Sequence, residues 1–148
     1  MAKTFTAPFA QTPSVWSAAA IAAVPLTGAG SVADGSPANA VLLGTAGTDG
    51  GIITSISAIP RATVTATALY LWSSTDNGTT KMLIASALMP ANTLAATTEN
   101  ARTAFKHADG TVVSESAPLR VQAGEKLYCG IGVTLASGIV FSVRETDF

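Results

Sequence analysis

The sequence predicts an all-β protein, an antiparallel β-sandwich of the jelly-roll type with an extended N-terminal arm. Three observations carry this. Short apolar runs alternate with polar residues at period two. Clusters of Gly, Asn, Asp and Pro separate those runs. No helical pattern of convincing length alternates with them, so a parallel βαβ sheet is set aside. Seven to nine short strands are expected. The arm is assigned residues 1–13 and the sandwich residues 14–148.

Residues 1–12, MAKTFTAPFAQT, place Phe5 and Phe9 around Pro8 in an extended stretch. A tail left in solvent rarely carries two phenylalanines, so the arm is expected to lie on its own domain or on a neighbour. Phe5, Pro8 and Phe9 are therefore the candidate inter-subunit contacts. Ser14 to Val24, SVWSAAAIAAV, has alanines that suit a helix, but its Val-Trp start and flanking prolines favour a strand. Thr27 to Asn39 is a loop by composition.

The strand signal strengthens from Ala40. AVLLGT is a short buried run, and GIITSISAIP comes after a glycine-rich turn. Ala62 to Trp72 alternates at its start, with Val64, Ala66 and Ala68 on one side and Thr63, Thr65 and Thr67 on the other. Asn77-Gly78 marks a hairpin, and KMLIASALMP is its return strand, ended by Pro90. Asn92 to His107 is compatible with a short helix carrying Leu94, Ala101 and Phe105 on one face, or with a long loop and a strand. His107 to Thr111 is a turn.

In the last third, Gln122 to Glu125 turns into a strand with Leu127, Cys129, Ile131, Val133 and Leu135 pointing one way. Ala136-Ser137-Gly138 turns the chain again. Ile139, Phe141 and Val143 form the inner face of the closing strand.

Composition narrows the function. Hydrophobic residues make up 48% of the 148 and charged residues 11%, against about 25% charged in an average globular chain. So little charge suggests surface buried against other chains. The net charge is −1 and the eight Lys and Arg are scattered, without the basic stripe that direct nucleic-acid binding uses. The longest apolar run, Ala18 to Leu26, is shorter than the about 20 residues that span a bilayer, so no membrane is expected. Pro25 breaks this run, which reads as mature protein folded in a cytoplasm. A single cysteine permits no internal disulfide.

The candidate sites each have a plainer reading. GTAGTDGG, Gly44 to Gly51, has the glycines of a phosphate loop. However, a β-branched run comes next instead of a helix, and no Gly-Lys-Ser/Thr is present. It is expected to connect two strands. His107, the only histidine, sits beside a turn and is expected to be solvated, with no nucleophile motif to use it. Cys129 is expected to be buried with a raised pKa. Asp34, Asp49, Asp76 and Asp109 lie at or near glycines, where Asp favours turns. Neither a calcium ligand series nor a metal set of Cys and His is visible. Trp16 and Trp72 could stack on sugar rings if exposed, although a core or interface role is the commoner use of a tryptophan. No catalytic site and no cofactor are expected.

Several stretches resemble a group of small tailed-bacteriophage virion proteins with a jelly-roll-like sandwich. They are VLLGTAGTDGGIITSISAI, ATALYLWSSTDNGTTKMLIAS, APLRVQAGEKLYCGIGV and GIVFSVRETDF. The shared features are a TAG-x-x-G turn leading into a strand, a strand ending near an Asn-Gly turn, and a late glycine-spaced strand. The resemblance covers residues 40–148 and leaves out the arm and Asn92 to Ser116. Its motifs are structural, and the family offers no active-site residues to transfer. It implies a virion component that is not an enzyme. That component would be a capsid decoration (cement) protein that bridges capsid subunits, with itself, as a homotrimer, and the major capsid protein as partners. A neck or tail structural protein, or a carbohydrate-binding adsorption module, is the alternative.

Overall fold

The computed structural model describes residues 12–148. The arm contacts expected at Phe5, Pro8 and Phe9 lie outside the described residues. The described chain is all-β, with two antiparallel sheets packed face to face and no helix. The strands are β1 (Thr12–Ala20), β2 (Val41–Thr45), β3 (Gly51–Pro60), β4 (Thr67–Ser74), β5 (Met82–Met89), β6 (Thr103–Ala104), β7 (Leu119–Val121), β8 (Lys126–Ile131) and β9 (Ile139–Asp147). One sheet runs β1-β9-β3-β6, with β7 also paired to β3, and the other runs β2-β8-β4-β5. β1 packs beside β2 at one edge of the sandwich, and β5 beside β6 at the other.

Period-two patterning explains the core. Ile139, Phe141 and Val143 on β9, with Leu127, Cys129 and Ile131 on β8, are fully buried between the sheets. Phe141 meets Phe105 with ring centroids 6.0 Å apart. β4 is buried on both faces, which its continuous LYLW run encodes. Leu69 and Leu71 enter the main core, while Tyr70 and Trp72 join Val24 in a second cluster on the outer face. The chain between β1 and β2 lies over that cluster. Trp72 Nε1 donates to the Val32 carbonyl at 3.0 Å, and Val24 N donates to the Ile131 carbonyl at 2.8 Å.

Several expectations are corrected. β4 begins at Thr67, not Ala62. Val64 is buried, but Ala66 is exposed and Thr67 takes the inward place. The Thr67 hydroxyl accepts from Val133 N at 3.0 Å, which offsets its burial. β8 stops at Ile131, so Val133 is exposed. Of the two readings left open for Asn92 to His107, the loop with a strand is the one observed, the strand being the two-residue β6, and Leu94 is exposed. Asparagines hold that loop. Asn92 Nδ2 donates to Asn100 Oδ1 at 2.6 Å, and Asn100 Nδ2 donates to the Pro60 carbonyl at 2.7 Å. The Asn77-Gly78 turn forms as expected, with φ of 62° and 90°.

Candidate functional site

The exposed apolar surface concentrates on β5, the terminal strand of its sheet. Met82, Leu83, Ile84 and Leu88 are all exposed, Leu88 by 70%. Met82–Met89 contains no charge and no proline. β4 pairs with one side of β5, and among the described residues no strand pairs with the other. Edge strands of free-standing sheets usually carry Lys or Pro, or lie under a covering segment. β5 uses only one blunting device, a bulge. Leu71 opposes Ala85 while Trp72 opposes Leu83, so Ile84 is the extra residue. Ala85 to Met89 remains regular.

The gap between β5 and β6 is a groove of about 490 Å³, lined by Ala87, Leu88, Pro90, Arg102, Thr103 and Lys106, among others. Beside it, an opening of about 170 Å³ runs down past Ile84 and Ala85 to Phe105, Leu71 and Ile56. The sandwich is thus unsealed along this edge. The short β6 causes the gap, because two residues cannot cover the length of β5.

The opposite edge is closed. Trp16 of β1 lies over Gly44 of β2, where any Cβ would overlap the indole. Next to it, the inward column of β9 ends in two carboxylates. Glu145 is 2% exposed, and its Oε2 accepts from Ser14 Oγ at 2.6 Å. Its Oε1 has no partner among the described residues. Asp147 Oδ1 accepts from Gly47 N at 2.9 Å. Gly47 and Gly51 are the residues that leave room for these carboxylates. Burial, and then the Asp147 carboxylate beside it, push the Glu145 carboxyl above its ordinary 4.5, although the Ser14 bond pulls the other way. The native state therefore holds this proton more tightly than the unfolded chain. Both states are protonated below about pH 4.5, and stability falls as pH rises through the raised value. Glu145→Gln is expected to match the parent below pH 4.5 and to become the more stable of the two as pH rises to 7. Urea unfolding at the two pH values checks this, and a variant less stable at pH 7 contradicts it.

The glycine-rich stretch that precedes β3 is a strand-to-strand connection. Ala46 N donates to the Glu125 carbonyl, Gly47 N to Asp147, and Gly50 N to the Gly47 carbonyl. Those amides are spent, and a carboxylate stands where an anion would sit. His107 departs from its expected solvation. It is half-buried, and Nε2 donates to the Ala117 carbonyl at 2.8 Å, fixing the turn. Cys129 is buried as expected, with its thiol pushed up to about 12 by desolvation. Three of the four turn aspartates bind backbone amides: Asp34 that of Gly30, Asp76 that of Thr80, and Asp109 that of Thr111. These bonds hold Asp76 at about 2 and lower Asp109. No group of three or more metal-ligating side chains occurs among the described residues. Trp72 is fully buried and Trp16 lies on Gly44, so neither tryptophan stands free as a stacking platform.

Sequence reasoning missed the open edge and the buried glutamate. The glutamate had a signal, since period two carries the inward column from Val143 to Glu145. The edge had a weaker one, the absence of charge from Met82 to Met89.

The chain matches no protein-family model, no curated protein and no solved structure.

Proposed function

We propose that this chain is a structural component of a tailed-bacteriophage particle, a capsid decoration (cement) protein that bridges capsid subunits as a homotrimer. The observation that carries the reading is the uncharged β5 edge, unpaired among the described residues, with its apolar side chains in the open. In a free monomer such an edge invites aggregation, whereas an assembly buries it. The scarcity of charge over the whole chain supports the same reading. The strand orders β1-β9-β3-β6 and β2-β8-β4-β5 support a jelly-roll winding, because the two sheets share the strands in interleaved fashion. The resemblance of residues 40–148 to phage virion proteins supplies the kind of particle.

The role is mechanical. Each copy binds where capsid subunits meet, in contact with the major capsid protein. A specific contact buries about 1,200–2,000 Å², and many such contacts across a shell oppose the pressure of packaged genome. Phe5, Pro8 and Phe9 contribute to inter-subunit contact. The protein then resides in the virion, which is assembled in the host cytoplasm.

Pelleting with capsids that lack the protein tests the proposal. The chain should sediment with them and raise their resistance to heat. A chain that stays in the supernatant while capsids pellet would overturn it. Retention on tail or neck fractions instead would move the protein to that part of the particle.

A further inference from the structure

We propose that the edge of β5, unpaired among the described residues, receives residues 1–11 of a second copy of this chain as an added strand, joining copies head to tail. The inference deepens the self-assembly part of the proposed function, and it holds for copies in solution whether or not a capsid is their support.

The acceptor is built for a strand. Ala85 to Met89 offers a regular, uncharged backbone edge with nothing paired to it among the described residues. Strand addition draws affinity from those backbone groups and specificity from pockets for alternate side chains. The groove beside β6 and the opening that reaches Phe105 supply such pockets.

The donor fits in pattern, length and charge. Phe5, Ala7 and Phe9 recur at spacing two, so an extended backbone sets them on one face. In an added strand their backbone groups would point to one side and those of Pro8 to the other. Pairing through positions 5, 7 and 9 therefore asks no hydrogen bond of the proline, which an added edge strand tolerates. Eleven residues reach about 36–40 Å when extended, and the five paired residues use about 17 Å. The rest can cross between neighbouring copies. Residues 4–11 carry no charge, and neither does Met82–Met89. Pairing places no charge against another.

The topology favours a second copy. Residues 1–11 lead into Thr12 of β1, which packs beside β2 at the closed edge. β5 lies at the opposite edge. Each copy thus presents a donor on one side and an acceptor on the other. Such a heterologous contact closes into a ring when the rotation between copies allows, and a trimer is one such ring.

The test is a cross-link between two differently tagged chains made together, one carrying Ala7→Cys and the other Ala87→Cys, because Ala87 lies on the inward face of β5 that the arm's side chains would share. Cys129 is buried and does not compete. Under mild oxidation, a disulfide between the two tags is expected, with twice the mass of one chain. Because the two thiols sit on different chains, this product is intermolecular by construction. Phe9→Cys paired with Ala85→Cys repeats the test at a second position on the same face. Three results would overturn the inference: no mixed product at either position, homodimers of Ala87→Cys alone (which would pair β5 with β5), or a chain carrying both cysteines closing on itself. A mixed product from chains that fail to bind capsids would sink the capsid reading and leave this one standing.

Discussion

Phe141→Ala is expected to cost about 4 kcal/mol of folding stability. Phe141 is fully buried near the start of β9, opposite Ala18 of β1 and Ala58 of β3. These small partners leave the ring room, and they cannot fill the hole that its loss would leave. Phe141 also meets Phe105, which lies in the long segment between β5 and β7. That segment has only the two-residue β6, so buried side chains must hold it down. Truncation therefore opens a cavity and loosens the wall of the opening beside the β5–β6 groove together. For a chain of this size about 2–4 °C is lost per kcal/mol, so the melting temperature should fall by about 8–16 °C. Urea unfolding checks the figure. A loss under about 1 kcal/mol would mean that the core packs elsewhere.

Gly44→Ala should rank next, with a loss of about 2–3 kcal/mol. A bulge in β2 puts both Leu42 and Gly44 against consecutive β8 residues, with Leu43 turned into the core. Gly44 then faces the Trp16 indole at contact distance, and a methyl group has no space. The indole must swing out or β1 must lift from β2. Either change exposes Trp16, while Trp72 stays buried behind its own covering loop. The expected signature is a red shift of tryptophan emission together with lower stability. Unchanged emission with full stability would contradict the seal described at this edge.

Most strands were legible because one face is buried and the other is not, whereas β4, buried on both, was legible as a continuous apolar run. β9 is the clearest case, since its inward column keeps strict alternation from Ile139 onward. Alternation misled where polar residues took inward places. In Val64 to Thr67 a threonine replaces alanine inside, because its hydroxyl accepts from the backbone of Val133. At Val133 the pattern ran on past the end of the ladder, since alternation does not mark where pairing stops. Leu94, Ala101 and Phe105 matched a helical face, but Asn92 and Asn100 bind each other and hold the backbone in a loop. Local side-chain bonds of this kind compete with helix formation.

The candidate site was less legible than the fold. Whether a strand lies at an edge depends on the order of strands in the sheet, which no local pattern carries. KMLIASALMP reads alike as a central or a terminal strand. Its lack of charge becomes informative once β4 is the only described strand paired to β5. The glycines of Gly44 to Gly51 were decided by their neighbours in sequence, because the β-branched GIITSISAIP run leads to a strand and not to a helix N-terminus.

The most direct test of self-assembly is the mass of the purified full-length protein in solution, measured by light scattering over a range of concentrations. The account predicts a stable species of about three times the 14.8 kDa chain, reverting to one chain when residues 1–11 are removed. A full-length protein that stays at 14.8 kDa at every concentration would contradict it.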